Sequence, residues 1–229
     1  MAGIHLQKSA AEAIAEGRHG DAFAVLGPHK AGKGWEIAAF VPGAARLWVV
    51  SAGKDAEALP FPGVPGVFTH RTARNVPYSF RAEGHGTVWE FDDPYRFGPV
   101  LGETDEHLLG EGSHRRLWQV LGAHPITHEG VPGVHFAVWA PNAERVSPVG
   151  DFNHWDGRRH PMRRRGGSGI WEIFIPGLTE GTAYKYEIRG PGGALQPQKA
   201  DPVGFGSEHP PANASVVREI RGDWQDGAW

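Results

Sequence analysis

The sequence predicts an all-β chain: two tandem β-sandwiches behind a short N-terminal helical segment. Three observations carry this. Gly and Pro are abundant, 33 and 19 of 229 residues. Both disfavour helix interiors, Gly through backbone entropy and Pro through its missing N–H and its clash with the preceding turn. Runs of β-branched and aromatic residues recur between Gly/Pro turns at intervals of about 8–12 residues, as in sandwich sheets. Finally, the sequence repeats itself over a long period.

The repeat is ordered. Phe23-Ala24-Val25-Leu26-Gly27-Pro28-His29 reads like Trp118-Gln119-Val120-Leu121-Gly122-Ala123-His124. Trp35 to Ala44 matches Val134 to Ala143, and Pro77 to Arg81 matches Ala183 to Glu187. Asp93-Pro94-Tyr95-Arg96-Phe97 matches Asp201-Pro202-Val203-Gly204-Phe205. The offset widens from 95 to 108 residues, as loop insertions would make it. A period of roughly 105 residues means duplicated domains rather than a solenoid.

The elements follow in order. In residues 1–20, Ser9-Ala10-Ala11-Glu12 has capping-box spacing and Gly17 is a stop, so a short helix is expected. The first sandwich spans 21–112. Asp21 is placed to cap a single turn from Ala22 to Leu26, and strands are expected at Arg46–Val50, Gly66–His70 and Tyr78–Arg81. Pro94 to His114 reads as a link broken by glycines, with Leu108-Leu109 in a short helix or a docked loop. The second sandwich spans 113–222. Its strands are Val134–Trp139, with period-2 alternation, Ile170–Ile175 before the Pro176-Gly177 turn, Tyr184–Arg189, and Ser215–Ile220. Such strands suit immunoglobulin-like sandwiches. Residues 223–229 read as the start of a linker. Their indoles, Trp224 and Trp229, are what a further domain would cover.

Composition narrows the function. With no Cys, disulfides, thiolate metal sites and Cys nucleophiles are excluded. Met1 to Gly20 has no apolar core of a secretory signal, which suggests a cytoplasmic chain. No run approaches the ~18 apolar residues of a membrane span. The Asn213-Ala214-Ser215 glycosylation match is therefore read as accidental. Net charge is −3, with residues 113–200 carrying +4, too mild for a nucleic-acid binder. The strongest basic cluster, Arg158, Arg159, Arg163, Arg164 and Arg165, is interrupted by Pro161 and reads as a solvated hairpin arm. The pairs His107/His114 and His154/His160 lack helical metal-ligand spacing and a third ligand, so no metal is expected. No nucleophile–base arrangement or phosphate cradle is visible, so no catalytic residue and no cofactor are expected.

The most distinctive stretch is Val149-Gly150-Asp151-Phe152-Asn153-His154-Trp155-Asp156. An indole exposed on a sandwich face can stack on a pyranose ring while nearby amides and charges bond its hydroxyls. Core aromatics pinning a turn would leave the same residues.

Gly150 to Met162 closely resembles the second N-terminal module of bacterial 1,4-α-glucan (glycogen) branching enzymes, a module of the family 48 carbohydrate-binding type. The resemblance extends through Phe136 to Ala143, Gly169-Ile170-Trp171-Glu172, Tyr184-Lys185-Tyr186, Lys199-Ala200-Asp201-Pro202 and Ala214-Ser215-Val216-Val217. Phe23 to His29 and Glu90 to Tyr95 are similar to the family's first module. In that family the catalytic carboxylates belong to a barrel of roughly 250 residues, for which this sequence has no room. The resemblance therefore implies a non-catalytic part of an enzyme that transfers α-1,4-glucan segments to form α-1,6 branches. Its expected partners are α-1,4-glucan (glycogen or maltooligosaccharide) and the absent barrel. Sugar-binding relatives use two tryptophans, a lysine and an asparagine. Trp155, Lys185 and Asn213 fall at three of these places. The loop Gly190 to Gln196 offers only Leu195 for the second Trp, so glucan binding is expected to be weak. Two further departures stand out. Pro148 in a strand implies an edge or a bulge, and Asp201-Pro202-Val203 replaces the family's Asp-Pro-Tyr. The alternative is a purely structural interaction module, in which Trp155 docks or is buried and no sugar binds.

Overall fold

A computed structural model describes residues 6–219. The expected linker with Trp224 and Trp229 lies outside the described residues, as does Ile220. The chain is mostly β, as predicted, with a helix ahead of two β units.

Helix α1 (Lys8–Ala15) forms without the predicted capping box. Its N-cap is Gln7, which makes no side-chain cap bond, so Ser9 lies inside the helix. Tertiary burial holds it instead. Ala11 packs with Val64 and Val67, and Ile14 packs with Ala22, Leu26 and Tyr95. Gly17 is the stop, at φ +64°, with the amides of Gly17 and Arg18 returning to Ile14 O and Ala13 O at 2.9 Å. Asp21 caps the next turn as expected: Ala24 N–H donates to Asp21 Oδ1 at 3.2 Å.

The first unit holds seven antiparallel strands, β1 (Gly27–Ala31), β2 (Gly34–Phe40), β3 (Arg46–Ser51), β4 (Lys54–Pro60), β5 (Val67–Thr72), β6 (Ser79–Gly84) and β7 (Thr87–Asp92). They form one continuous sheet of order β1-β2-β5-β4-β3-β6-β7. The sheet doubles over because β4 changes partner: Lys54 to Ala58 pair with β3, Leu59 and Pro60 with β5. The two layers are thus joined at a corner. Between them lie Ile37, Leu47, Val49, Phe68 and Phe80.

The second unit holds β8 (Gly122–His128), β9 (Val131–Trp139), β10 (Arg145–Val149), β11 (Arg163–Arg165), β12 (Ile170–Pro176), β13 (Ala183–Arg189), β14 (Gly206–Ser207) and β15 (Ser215–Val216). One sheet runs β10-β13-β15-β14 and the other β11-β12-β9-β8. Phe136, Val138, Trp171, Ile173, Tyr184 and Tyr186 fill the space between. Pro148 does stand on an edge strand. Its partner in register, Tyr186, directs its own N–H and C=O to Lys199 on the other side, so the missing donor removes no ladder bond.

The repeat is preserved bond by bond. Gly27 and Gly122 sit at φ +86° and +102°, where a Cβ would meet Tyr95 O at 2.5 Å and Val203 O at 3.0 Å. His29 and His124 donate through Nε2 to Leu26 O and Leu121 O at 3.0 and 2.9 Å. Tyr78 and Tyr184 donate to Asp93 and Asp201 at 2.5 and 2.7 Å.

The arginine cluster is a solvated arm only at Arg164, which is exposed; the other four reach backbone carbonyls elsewhere. Arg158 Nη1 donates to Ala15 O at the C-terminal end of α1, 3.2 Å, where a cation is favoured. Arg159 reaches Pro42 O at 2.9 Å, Arg163 reaches Phe97 O at 2.9 Å, and Arg165 reaches Leu101 O at 3.1 Å. Arg163 also lies 3.9 Å from the Phe23 ring centroid. The guanidinium forks satisfy carbonyls of the first unit and the link. The link itself, with helix α2 (Glu103–Gly110) around the predicted Leu108-Leu109, covers the outer face of β12. Phe97 packs edge-on against Phe174 at 4.9 Å, and Leu101 joins Ile170 and Ala137. Hence β12 is buried on both faces up to Pro176. Among the described residues no helix is long and apolar enough to cross a membrane.

Candidate functional site

The distinctive turn begins where β10 ends. A Cβ on Gly150 would meet Ala183 O at 2.4 Å and the Phe152 ring at 2.7 Å, so only Gly lets the chain leave the sheet there. Asn153, 1% exposed, is the internal scaffold. Its Oδ1 accepts from Gly150 N–H at 3.0 Å, and its Nδ2 donates to Pro148 O at 2.9 Å. Trp155 N–H closes the loop on Gly150 O at 2.9 Å. These bonds hold His154 and Trp155 in the left-handed region, φ +57° and +58°. A bulky residue rarely sits there, and such strain persists only where surrounding contacts over-determine it.

Trp155 is half-buried, and its Nε1–H donates to Asp151 Oδ1 at 2.8 Å. That bond fixes the indole's orientation. Lys185 lies on β13 between the inward-facing Tyr184 and Tyr186, so it points outward. Its Nζ donates to Asn213 Oδ1. The structure therefore brings Lys185 and Asn213 into contact. The turn crosses the same outer face, since Gly157 lies against the side chain of Glu187, two residues beyond Lys185. In the loop Gly190 to Gln196, Leu195 is 56% exposed. The exposed indole of Trp139 ends β9, in the other sheet.

Sequence reasoning missed two residues here. Asn153 is the scaffold just described, and its tight turn in a Gly-Asp-Phe-Asn string was the available signal. His160 is the second. Asn153 Nδ2 stands 2.9 Å from His160 Nδ1. An amide nitrogen only donates, so Nδ1 accepts and the ring proton sits on Nε2. Burial, reinforced by the charge of Arg159, pushes His160 down to about 3, so the ring is neutral at physiological pH. Asp156 is held below the ordinary carboxylate range: burial opposes ionisation, but bonds and charge from Arg158 outweigh it. Among the described residues no His, Asp and Glu cluster suits a metal.

Replacing Asn153 by Ala strips the turn of its internal bonds. The expected result is a loss of about 2–3 kcal/mol of unfolding free energy, read by urea denaturation. An unchanged midpoint would show that the turn is held by other means.

Residues 7–95 match the family model "alpha-1,4-glucan branching enzyme GlgB, N-terminal domain". Residues 120–204 match "Carbohydrate-binding module 48 (Isoamylase N-terminal domain)". The chain is similar to the 1,4-alpha-glucan branching enzyme GlgB of Roseobacter denitrificans, 54% identical over 99% of this chain and 32% of that protein. It is 53% identical to the enzyme of the same name from Paramagnetospirillum magneticum, over 98% and 30%. The match to that of Cereibacter sphaeroides is 52%, over 95% and 30%. The chain thus spans about a third of the length of the curated relatives it matches. It belongs to the branching-enzyme family over that stretch, carrying the family's N-terminal domain followed by a family 48 carbohydrate-binding module.

Proposed function

We propose that the outer face of the second module, through Trp155, Lys185 and Asn213, binds α-1,4-glucan weakly, and that these two modules position glucan for a catalytic domain on which they pack. The contact between Lys185 and Asn213 carries the reading. Two polar side chains 28 residues apart meet beside a turn whose strained backbone and Asp151 bond hold an indole in place. Lys185 has two further donors and Asn213 a free amide for ring hydroxyls. The absence of a second aromatic in the loop at Leu195 limits the stacked area and hence the affinity. In the parent enzymes the reaction is transfer of an α-1,4-glucan segment to a 6-hydroxyl. This chain supplies binding and packing to it and no reacting group, so the purified chain is expected to show no branching activity.

Affinity electrophoresis tests the site. The chain is expected to be retarded by amylopectin, and Trp155→Ala to abolish the retardation while leaving the melting curve within a few degrees of the parent. Equal retardation of both proteins removes Trp155 from the site. No retardation of either favours the purely structural role.

A further inference from the structure

The turn that carries Trp155 is held from two sides. On one side Asn153 ties it to the end of β10, at Pro148 and Gly150. The other side is the segment 156–161, and that segment rests on the first unit. Arg158 Nη1 bonds Ala15 O at the end of α1, and Arg159 Nη2 bonds Pro42 O in the turn between β2 and β3. Tyr95 OH lies 3.3 Å from Arg159 O and 3.4 Å from Pro161 O. Helix α1 is part of the first unit by its packing on Val64 and on Val67 of β5.

These contacts reach the turn through short chains of bonds. Arg158 grips Asp156 with both arms of its fork: Nε donates to Oδ1 at 2.9 Å and Nη2 to Oδ2 at 2.7 Å. Asp156 follows Trp155 in the chain, and its N–H donates to Asn153 O at 3.1 Å. His160 follows Arg159, and its Nδ1 accepts from Asn153 Nδ2 at 2.9 Å. Each arginine that reaches the first unit therefore adjoins a residue bonded to Asn153, the scaffold of the turn. Charge favours the contact. Helix α1 has no basic residue in its last turn, so the cation favoured at its C-terminal end comes from the other unit. The approach is close: a Cβ on Gly17 would stand 2.8 Å from Arg158 Cγ and 2.4 Å from Arg145 Nη1.

We infer that the first unit positions the Trp155 turn of the second: Ala15 O and Pro42 O, through Arg158 and Arg159, hold the turn in its left-handed conformation and so set how the indole is presented. Two successive strained residues persist only where their surroundings over-determine them, and part of those surroundings belongs to the first unit. Arg158 and Arg159 are positioning residues in this sense. That the indole then meets α-glucan rests on the reading of the outer face given above; that the first unit fixes the indole does not.

The test is hydrogen exchange of the indole N–H groups in the full chain, with resonances assigned by single Trp→Phe variants. Trp155 Nε1–H reports the turn. Trp171 Nε1–H donates to Ala140 O at 3.0 Å in the core of the same unit and reports the unit as a whole. Arg158→Ala is expected to speed exchange at Trp155 about tenfold and to leave Trp171 unchanged. Gly17→Ala alters no residue of the turn and pushes α1 off the arginines, and it is expected to act on Trp155 alone in the same way. Equal acceleration at both indoles overturns the inference, since the arginine would then only stabilise the unit. Acceleration in Arg158→Ala but not in Gly17→Ala also overturns it, since the Arg158–Asp156 bonds would then suffice. No change at Trp155 in either variant overturns it outright. On amylopectin both variants are expected to be less retarded than the parent. A parent that is not retarded, with exchange still accelerated at Trp155 alone, overturns the glucan reading and leaves the positioning role standing.

Discussion

Glu172→Ala is expected to lower the unfolding free energy by about 3–5 kcal/mol. Glu172 sits mid-strand on β12 and is 2% exposed. Its Oε2 accepts from Leu101 N–H at 2.9 Å, His135 Nε2 at 3.0 Å and Val100 N–H at 3.1 Å. Arg165 Nη1 lies 3.4 Å from Oε1. One carboxylate therefore fastens the link to the sheet and answers two buried cationic or polar side chains. Burial alone would push its pKa up. The bond and charge of His135, the Leu101 amide and Arg165 outweigh that and hold it below the ordinary value. A depressed folded pKa means this stabilisation is present above the unfolded value and lost as pH falls through the folded one. Removing the carboxylate leaves His135 and two amides without an acceptor in a dry site, and takes from Arg165 one of its two carboxylate neighbours, the other being Glu106. Glu172→Gln keeps the shape and one acceptor, and is expected to cost less than half as much. Urea denaturation of both variants measures the effect. A loss under 1 kcal/mol for Glu172→Ala would show that the link is held by its apolar contacts alone.

The second large effect concerns pH. Asp93, 2% exposed, accepts from Tyr78 OH at 2.5 Å and from Tyr95 N–H at 2.9 Å. Burial pushes its carboxyl from 3.8 up to about 6 in spite of those bonds. The folded chain therefore holds this proton more tightly than the unfolded chain. The associated stability is fully present below about pH 4 and disappears as pH rises through about 6, a change of ~3 kcal/mol. Asp93→Asn removes the titration. The stability of the variant relative to the parent is expected to rise by ~3 kcal/mol between pH 4 and pH 7, whatever its starting offset. His160 works in the opposite sense, because its folded pKa is depressed and its contribution is lost as pH falls below 6.5. It is common to both proteins, so the difference isolates Asp93. Denaturation curves at four pH values decide it, and a constant difference would place the proton elsewhere.

The duplication made much of the fold legible. The sequence aligned Gly27 with Gly122 and Asp93 with Asp201, and the structure puts the same turn and the same Tyr–Asp bond at both places. Strand runs such as Ile170 to Ile175 were legible because side-chain alternation and Gly/Pro turns are local signals. The capping box was not, because Ser9 and Glu12 have the right spacing in a helix that starts earlier and is held by packing. The arginines misled for a related reason. Pro161 and Gly166-Gly167 do mark an irregular segment, yet nothing local shows that Phe97 O, Leu101 O and Pro42 O lie within reach.

The sequence by itself determined the β class, strands such as Arg46–Val50, Val134–Trp139 and Ile170–Ile175, and the turn carrying Trp155, since each follows from patterns within a few residues or from similarity between the two halves. Only the tertiary structure decided that Lys185 touches Asn213, that arginines of the second unit bond carbonyls of the first unit and the link, and that Glu172 fastens the link to β12. Those facts depend on contacts between residues far apart in the chain, and burial, not local pattern, sets which polar groups end with partners and which do not.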